Sequence, residues 1–207
     1  MYSIFKYLLY AYLLSSYKSL PLAYYVRFYW QAFKNLILPI YFPSFLDKNS
    51  SPFQTKTIHT YNSPFECDIY LHKSNSTYFE ELDISRTKLM TLIFQKFFIK
   101  YKTESGTWAY VPVANVFTSF KKEIKPYQKY DVKSRILGWD SKWIFILSKF
   151  ESGQGLHAVS ITKYVLKDKR KTIAPVKALE FCGEESRKGV EMVDWFIETG
   201  DVEELEI

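Results

Sequence analysis

The sequence predicts an α+β domain, in which one long helix is followed by an antiparallel sheet and preceded by an apolar helical extension. Two observations carry this prediction. Apolar residues recur at helical spacing between about residues 76 and 94, and beyond that point they alternate with polar residues, as in half-buried strands. A polar turn cluster at residues 47–53 separates this pattern from an N-terminal part of different composition. We therefore divide the chain into residues 1–46 and residues 47–207.

The N-terminal part contains no Asp or Glu and is rich in apolar and aromatic side chains. A simple membrane span needs about 20 mostly apolar residues, but a span over residues 7–26 would hold Lys18 near its middle and Pro21 within it. The spacing favours helices that lie in the lipid headgroup plane, with basic side chains snorkelling among the headgroups. A removed targeting segment and a soluble aromatic subdomain stay open as alternatives. The basic residues here are Lys6, Lys18, Arg27 and Lys34.

The best-marked helix is predicted from Ser76 to about Phe94. Good N-cap residue types precede it, and Thr77 with Glu80 has the spacing of a capping box. Acidic residues near its start complement the helix dipole. The apolar face of this helix is formed by Tyr78, Leu82, Leu89 and Ile93.

Alternating patterns on both sides of that helix predict the sheet. Pro64 places a kink or an edge in the extended stretch before the helix. Gly138, Asp140 and Ser141 mark a tight hairpin between two later strands. A short helix is predicted near the end, at residues 186–200. The predicted extended segments are residues 55–70, 107–124, 129–139, 142–150 and 155–166.

Composition limits the kinds of partner. The net charge of +6 and the pI near 9.0 suit an anionic membrane surface, a nucleic acid or a phosphate-bearing ligand. The sequence has no RNA-binding signature, zinc-finger spacing or arginine-rich tract, so nucleic acid ranks low as a partner. The two cysteines, Cys67 and Cys182, form neither a CxxC motif nor a disulfide framework.

A chemistry-bearing motif, "ECDIYLHKSNSTY", occupies residues 66–78, where the extended stretch meets the helix. Together with the order of one helix and four antiparallel strands, it resembles the hot-dog fold of the 4-hydroxybenzoyl-CoA-type acyl-CoA thioesterases. It looks closest to their eukaryotic membrane-associated branch, which commonly shows Asp-x-Asp-x-x-x-His-x-Asn-Asn-x-x-Tyr at this junction. The stretch "RILGWDSKWIFI" at residues 135–146 is similar to the strand–turn–strand segment of that family. The matching motif positions are Glu66, Asp68, His72, Ser74, Asn75 and Tyr78.

The resemblance implies a sheet wrapped around one central helix and a site that hydrolyses thioesters. Asp68 matches the catalytic carboxylate, which either attacks the carbonyl or activates water, and His72 would orient substrate or water. The carbonyl oxygen would lie at backbone N–H groups where Asn75 and Ser76 open the helix, with Ser74 and Tyr78 in the same substrate region. The resemblance implies no cofactor and no metal, since CoA is part of the substrate, and a homodimer or higher oligomer.

Three positions depart from the family pattern: Glu66 and Ser74 replace the usual Asp and Asn, and Leu71 stands where Gly is frequent. These departures keep a second hypothesis open, a non-catalytic hot-dog module that binds acyl chains or a protein partner at a membrane. Asp68 as a loop cap, and His72 as a structural loop histidine, are the simpler interpretations of those two residues.

A glycosylation sequon, Asn75-Ser76-Thr77, lies within the predicted site. A glycan there would block catalysis, so a working site favours the cytosolic or matrix side of a membrane. We expect a membrane-associated intracellular protein, and the sequence does not distinguish the endoplasmic reticulum from the mitochondrion.

Overall fold

The computed structural model describes residues 2–47 and 51–180. It confirms the α+β prediction, because a six-stranded antiparallel sheet packs against one long central helix, α4. The helices are α1 (Tyr2–Ser15), α2 (Ala23–Ala32), α3 (Leu38–Tyr41), α4 (Asn75–Ile93), α5 (Gln95–Ser105) and α6 (Pro175–Leu179). The strands are β1 (Lys56–Tyr61), β2 (Val113–Phe120), β3 (Lys129–Trp139), β4 (Trp143–Ser152), β5 (Gly155–Asp168) and β6 (Lys171–Ile173).

The strand order of the sheet is β1-β3-β4-β5-β2, and β6 pairs with the end of β5. The sheet is therefore a meander of β3, β4 and β5, flanked by β1 at one edge and β2 at the other. The predicted hairpin is confirmed: Trp139 pairs with Ile144, and the carboxylate of Asp140 accepts the N–H groups of Lys142 and Trp143 in the turn.

The central helix follows the predicted range and buries the predicted face. Leu82 and Leu89 are fully buried, and Ile93 is almost fully buried. The predicted capping box is wrong, because the helix begins at Asn75, one residue before the predicted start, and has Ser74 rather than Thr77 as its N-cap. The Thr77 hydroxyl instead donates to the backbone carbonyl of Ser74 over 2.8 Å.

A second helix, α5, was not predicted. Its aromatic run carries no clear helical period in the sequence, yet Phe97 and Phe98 are buried against the far end of the sheet. Gly106, with a φ of +72°, ends it in a left-handed conformation that glycine adopts at little cost. Strand β2 consequently starts at Val113 rather than at residue 107. The predicted helix at residues 186–200 lies outside the described residues.

The N-terminal helices pack on the domain through α2, which lies against α4. Two of their basic side chains do not extend toward lipid as expected. Lys18 is buried, and its ammonium lies 3.0 Å from the carboxylate of Glu66 and 2.8 Å from that of Glu81. The Arg27 guanidinium donates two hydrogen bonds of 2.8 Å to the Glu81 carboxylate. Within the described part of the chain, no helix has the length and apolar character to cross a membrane.

Candidate active site

A tight turn before the central helix presents the candidate carboxylate. Across the turn, the Asp68 backbone N–H donates to the His72 carbonyl over 3.0 Å, and the Leu71 N–H donates to the Asp68 carbonyl over 3.1 Å. One carboxylate oxygen of Asp68 accepts the Tyr70 N–H at 2.9 Å. Leu71 has a φ of +58°, a left-handed conformation that explains why glycine would suit its position.

The turn brings Asp68 and His72 together. The Nδ1 atom of His72 lies 3.5 Å from the Oδ2 atom of Asp68, and each side chain is about one-third exposed. The imidazole also stacks on the ring of Tyr70, with 5.8 Å between the ring centres. The Asp68 carboxylate thus keeps one oxygen beside an imidazole and remains accessible to water and to substrate.

Buried charges hold the base of this turn. Cys67 and Lys73 face each other in an antiparallel bridge, and the Lys73 ammonium donates to the Glu66 carboxylate over 3.2 Å. Glu66 also accepts the backbone N–H of Ser63 at 3.0 Å in a capping box. Burial lowers the pKa of Lys73, although Glu66 partly offsets this effect. Glu66 is thus a structural carboxylate of the turn, which accounts for one departure from the family motif.

The start of α4 lies directly after the turn. The Ser74 N–H donates to the Glu66 carbonyl over 2.8 Å, which ties the helix N-terminus to the base of the turn. The hydroxyl groups of Ser74 and Ser76 are 3.1 Å apart, and the side chains of Asn75 and Ser76 are exposed. The N–H groups of a first helical turn have no partner within the helix, so they can donate to a developing oxyanion.

A pocket of about 220 Å³ opens at this helix N-terminus. Three of the six predicted site residues line it, namely His72, Asn75 and Tyr78, whereas Asp68, Ser74 and Ser76 do not. Tyr78 is almost fully buried, and its ring packs edge-on against Phe120 at 5.0 Å. Burial raises the pKa of its hydroxyl. The remaining lining residues are Lys73, Phe120, Lys121, Lys122 and Glu123.

The segment after β2 forms the far wall of that pocket, and a histidine of β5 anchors it. His157 is fully buried; its Nδ1 atom lies 3.0 Å from the Glu123 carbonyl, and its Nε2 atom lies 2.7 Å from the Ser152 hydroxyl. The N–H of Lys121 donates to the His157 carbonyl over 2.8 Å. No short-range signal in the sequence identifies these residues, because they lie about 45 or more positions beyond the motif.

Within residues 2–47 and 51–180, no three His, Cys, Asp or Glu side chains lie close enough together to hold a metal ion. The buried carboxylates of Glu66 and Glu81 are paired with the side chains of Lys18 and Arg27.

Known proteins match both the sequence and the fold. The sequence model of the thioesterase-like superfamily matches residues 63–198. A protein named as a probable thioesterase of Saccharomyces cerevisiae is 56% identical over 191 residues, covering 87% of this chain and 81% of the relative. Thioesterase lcsJ of Purpureocillium lilacinum is 40% identical over 151 residues, covering 63% of this chain and 49% of that protein.

Solved structures share the fold at low sequence identity. A probable thioesterase from Bartonella henselae superposes with a TM-score of 0.51 at 12% identity, covering 58% of this chain and 98% of its own. A 1,4-dihydroxy-2-naphthoyl-CoA thioesterase from Synechocystis has a TM-score of 0.50 at 12% identity, covering 62% and 95% of the two chains. The turn, helix and sheet described above are thus those of a hot-dog domain, and the chain belongs to the thioesterase-like superfamily.

Proposed function

We propose that this protein hydrolyses an acyl-CoA or a related thioester, with Asp68 as the reacting carboxylate. The observation that carries the proposal is the turn that pairs Asp68 with His72 immediately before the N-terminus of α4. Membership of the thioesterase-like superfamily supports the reaction class.

In this mechanism the thioester carbonyl oxygen accepts hydrogen bonds from the first N–H groups of α4, near Asn75 and Ser76. Asp68 either attacks the carbonyl carbon or removes a proton from the attacking water, and His72 orients the carboxylate and the water. If Asp68 attacks, the C–S bond breaks to leave an anhydride between the acyl group and Asp68, and a water molecule then hydrolyses this anhydride, releases the carboxylic acid and supplies the proton that the CoA thiolate takes up. If Asp68 acts as a base, the water oxygen bonds to the carbonyl carbon, the C–S bond breaks, and the proton held by Asp68 passes to the thiolate; in both cases the products are a carboxylic acid and free CoA. The positive end of the helix dipole stabilises the charge that develops on the oxygen.

We propose in addition that the protein forms a homodimer or a higher oligomer, and two features support this. Ile69, Tyr70 and Leu71 form an apolar turn tip beside the site, and each is at least 72% exposed. Strand β2 lies at an edge of the sheet. A second copy of the chain would cover both features and complete the site.

We also propose that the protein associates with a membrane. We assign it to the eukaryotic membrane-associated branch of the 4-hydroxybenzoyl-CoA-type thioesterases. The N-terminal helices expose large apolar side chains, which favours a lipid surface. We propose an intracellular location at the endoplasmic reticulum or the mitochondrion. Examples of these exposed side chains are Phe5, Leu8, Leu22, Tyr25 and Trp30.

The test uses the purified full chain with butyryl-CoA, benzoyl-CoA and palmitoyl-CoA. Asp68→Asn should lower kcat/KM at least about a hundredfold, within the range for loss of a general base. Asp131→Asn is the matched control, since Asp131 pairs with the exposed His59 on the outer part of the sheet. Equal rates above the uncatalysed background would exclude Asp68 as the reacting carboxylate. A wild-type rate no higher than that background on every substrate would exclude the hydrolase and leave the non-catalytic binding module.

A further inference from the structure

A second cavity lies along the central helix, farther from its N-terminus than the site pocket. It is a groove of about 580 Å³ between α2, the middle of α4 and the stretch that leads into β2. Its wall on the α2 side exists because Lys18 and Arg27 fix the N-terminal segment to Glu81. Most of its lining is aromatic or aliphatic, including Tyr24, Phe28, Leu36, Met90, Phe98 and Trp108.

We propose that this groove binds the hydrocarbon tail of a long-chain acyl thioester whose carbonyl lies at the N-terminus of α4. The position of the carbonyl rests on the proposed function, whereas the tail site rests on the groove itself. The proposal defines the substrate class as long-chain acyl thioesters, and it gives the N-terminal segment a direct part in substrate selection.

The groove and the site pocket lie at successive positions along α4 and along β2. Asn75 lines the site pocket, whereas Asp83 and Met90 line the groove, about 12 and 22 Å farther along the helix at 1.5 Å per residue. Strand β2 runs beside the helix in the opposite sense, with Phe120 at the site pocket and Val113 at the groove. The nearer of these distances is within the length of a long acyl tail, whereas a short acyl group that begins at the helix N-terminus would end before the groove.

The charges of the groove suit an uncharged occupant. Its two charged lining residues, Asp83 and Arg86, pair with each other at 2.5 Å, and the Tyr24 hydroxyl donates to Asp83 over 3.3 Å. The Arg86 guanidinium also lies over the ring of Tyr164, 5.7 Å from its centre. Because these charges neutralise each other, the groove favours a hydrocarbon chain over the phosphates of CoA or a free carboxylate.

The rim of the groove joins the exposed apolar surface of α2. Tyr29 lines the groove and is 63% exposed, and Tyr25, one helical turn before it on α2, is 55% exposed beside it. A tail that leaves a lipid surface would thus meet the groove without crossing a polar boundary. This continuity favours a lipid tail as the occupant over a polar peptide.

The test introduces a bulky side chain into the groove and measures the selectivity of hydrolysis for acyl-chain length. Ala32 lines the groove from α2, and Ala32→Trp would occupy it without deleting a core side chain. Val26→Trp places the same tryptophan side chain on the same helix at a position that is 68% exposed. The measured quantity is the ratio of kcat/KM for palmitoyl-CoA to that for butyryl-CoA, below micelle-forming concentrations.

Ala32→Trp should lower that ratio about tenfold, the value of roughly two buried methylene groups, and Val26→Trp should leave it unchanged. Turnover of butyryl-CoA serves as the internal check that the variant is folded. An unchanged ratio in Ala32→Trp would overturn the proposal. A change of oligomeric state in sedimentation, without a change in the ratio, would also overturn it and assign the groove to a second copy of the chain.

A binding measurement separates this proposal from the proposed function. If the wild type hydrolyses neither substrate, a palmitoyl thioether analogue of CoA should still bind in calorimetry, about tenfold more tightly than to Ala32→Trp. Equal binding to both proteins, or none to the wild type, would overturn the tail site whether or not the chain is a hydrolase.

Discussion

Lys18 in the N-terminal segment donates a hydrogen bond of 2.8 Å to Glu81 of the central helix, and both side chains are buried. The same ammonium lies 3.0 Å from Glu66, at the base of the turn that carries Asp68. One cation therefore joins the N-terminal segment, the central helix and the candidate active site. The segment is an integral part of the fold as well as the proposed membrane surface.

Removing this cation should destabilise the whole protein. Lys18→Met leaves two buried carboxylates with fewer partners, which should lower the free energy of unfolding by about 3 kcal/mol. Urea denaturation followed by circular dichroism measures the change. The matched control is Lys6→Met, at an exposed position on α1, which should change stability by less than about 0.5 kcal/mol. Equal stability of the two variants would contradict the structural role of Lys18.

The same cluster predicts an acid-dependent loss of stability. Burial alone would raise the pKa of Glu81, but hydrogen bonding to Arg27 and the charge of Lys18 outweigh it and lower the pKa from 4.5 to about 2. Because the folded pKa lies below the unfolded one, the stabilisation is present above about pH 4.5. It is lost as the pH falls toward 2, by about 3 kcal/mol.

Unfolding free energies at about pH 5 and about pH 2.5 measure that contribution. The difference between them should be smaller by about 2–3 kcal/mol in Glu81→Gln than in the wild type. Glu104→Gln, at an exposed carboxylate of α5, should keep the wild-type difference. If the difference between the two unfolding free energies were the same in Glu81→Gln as in the wild type, groups other than Glu81 would cause the loss of stability in acid.

The sequence predicts the central helix and the main strands well because their periodic patterns reflect which faces are buried. The sequence does not predict features that depend on contacts between residues far apart in the chain. Lys18 in an apolar run fits a lipid headgroup as well as it fits a buried ion pair, and its partner Glu81 lies 63 positions away. The motif at Asp68 and His72 identifies the candidate turn, but the pocket wall after β2 is defined only by the sheet topology.

The exposed surface of α1 predicts lipid binding. Leu8 is 61% exposed on α1, so Leu8→Asp should weaken binding to phosphatidylcholine–phosphatidylserine vesicles about tenfold or more, since an inserted leucine is worth roughly 1.5–3 kcal/mol. Co-sedimentation of the full chain with vesicles measures this. Gln154→Asp adds the same charge at the exposed β4–β5 turn and should bind as the wild type does. Equal recovery of both variants would exclude α1 from the lipid contact.

His157 connects the sheet to the wall of the site pocket, and its loss should destabilise both. His157→Leu places an apolar side chain in the same buried position but leaves the Ser152 hydroxyl and the Glu123 carbonyl without their imidazole partner, so stability should fall by about 2–3 kcal/mol. Amide exchange at Lys121, whose N–H donates to the His157 carbonyl, should quicken in the same variant because the wall of the pocket loosens.

The matched control is His59→Leu. The His59 ring is 79% exposed and pairs with Asp131 at the surface, so the loss of stability should stay below about 1 kcal/mol. If the two leucine variants were equally stable, His157 would not be the anchor of the pocket wall.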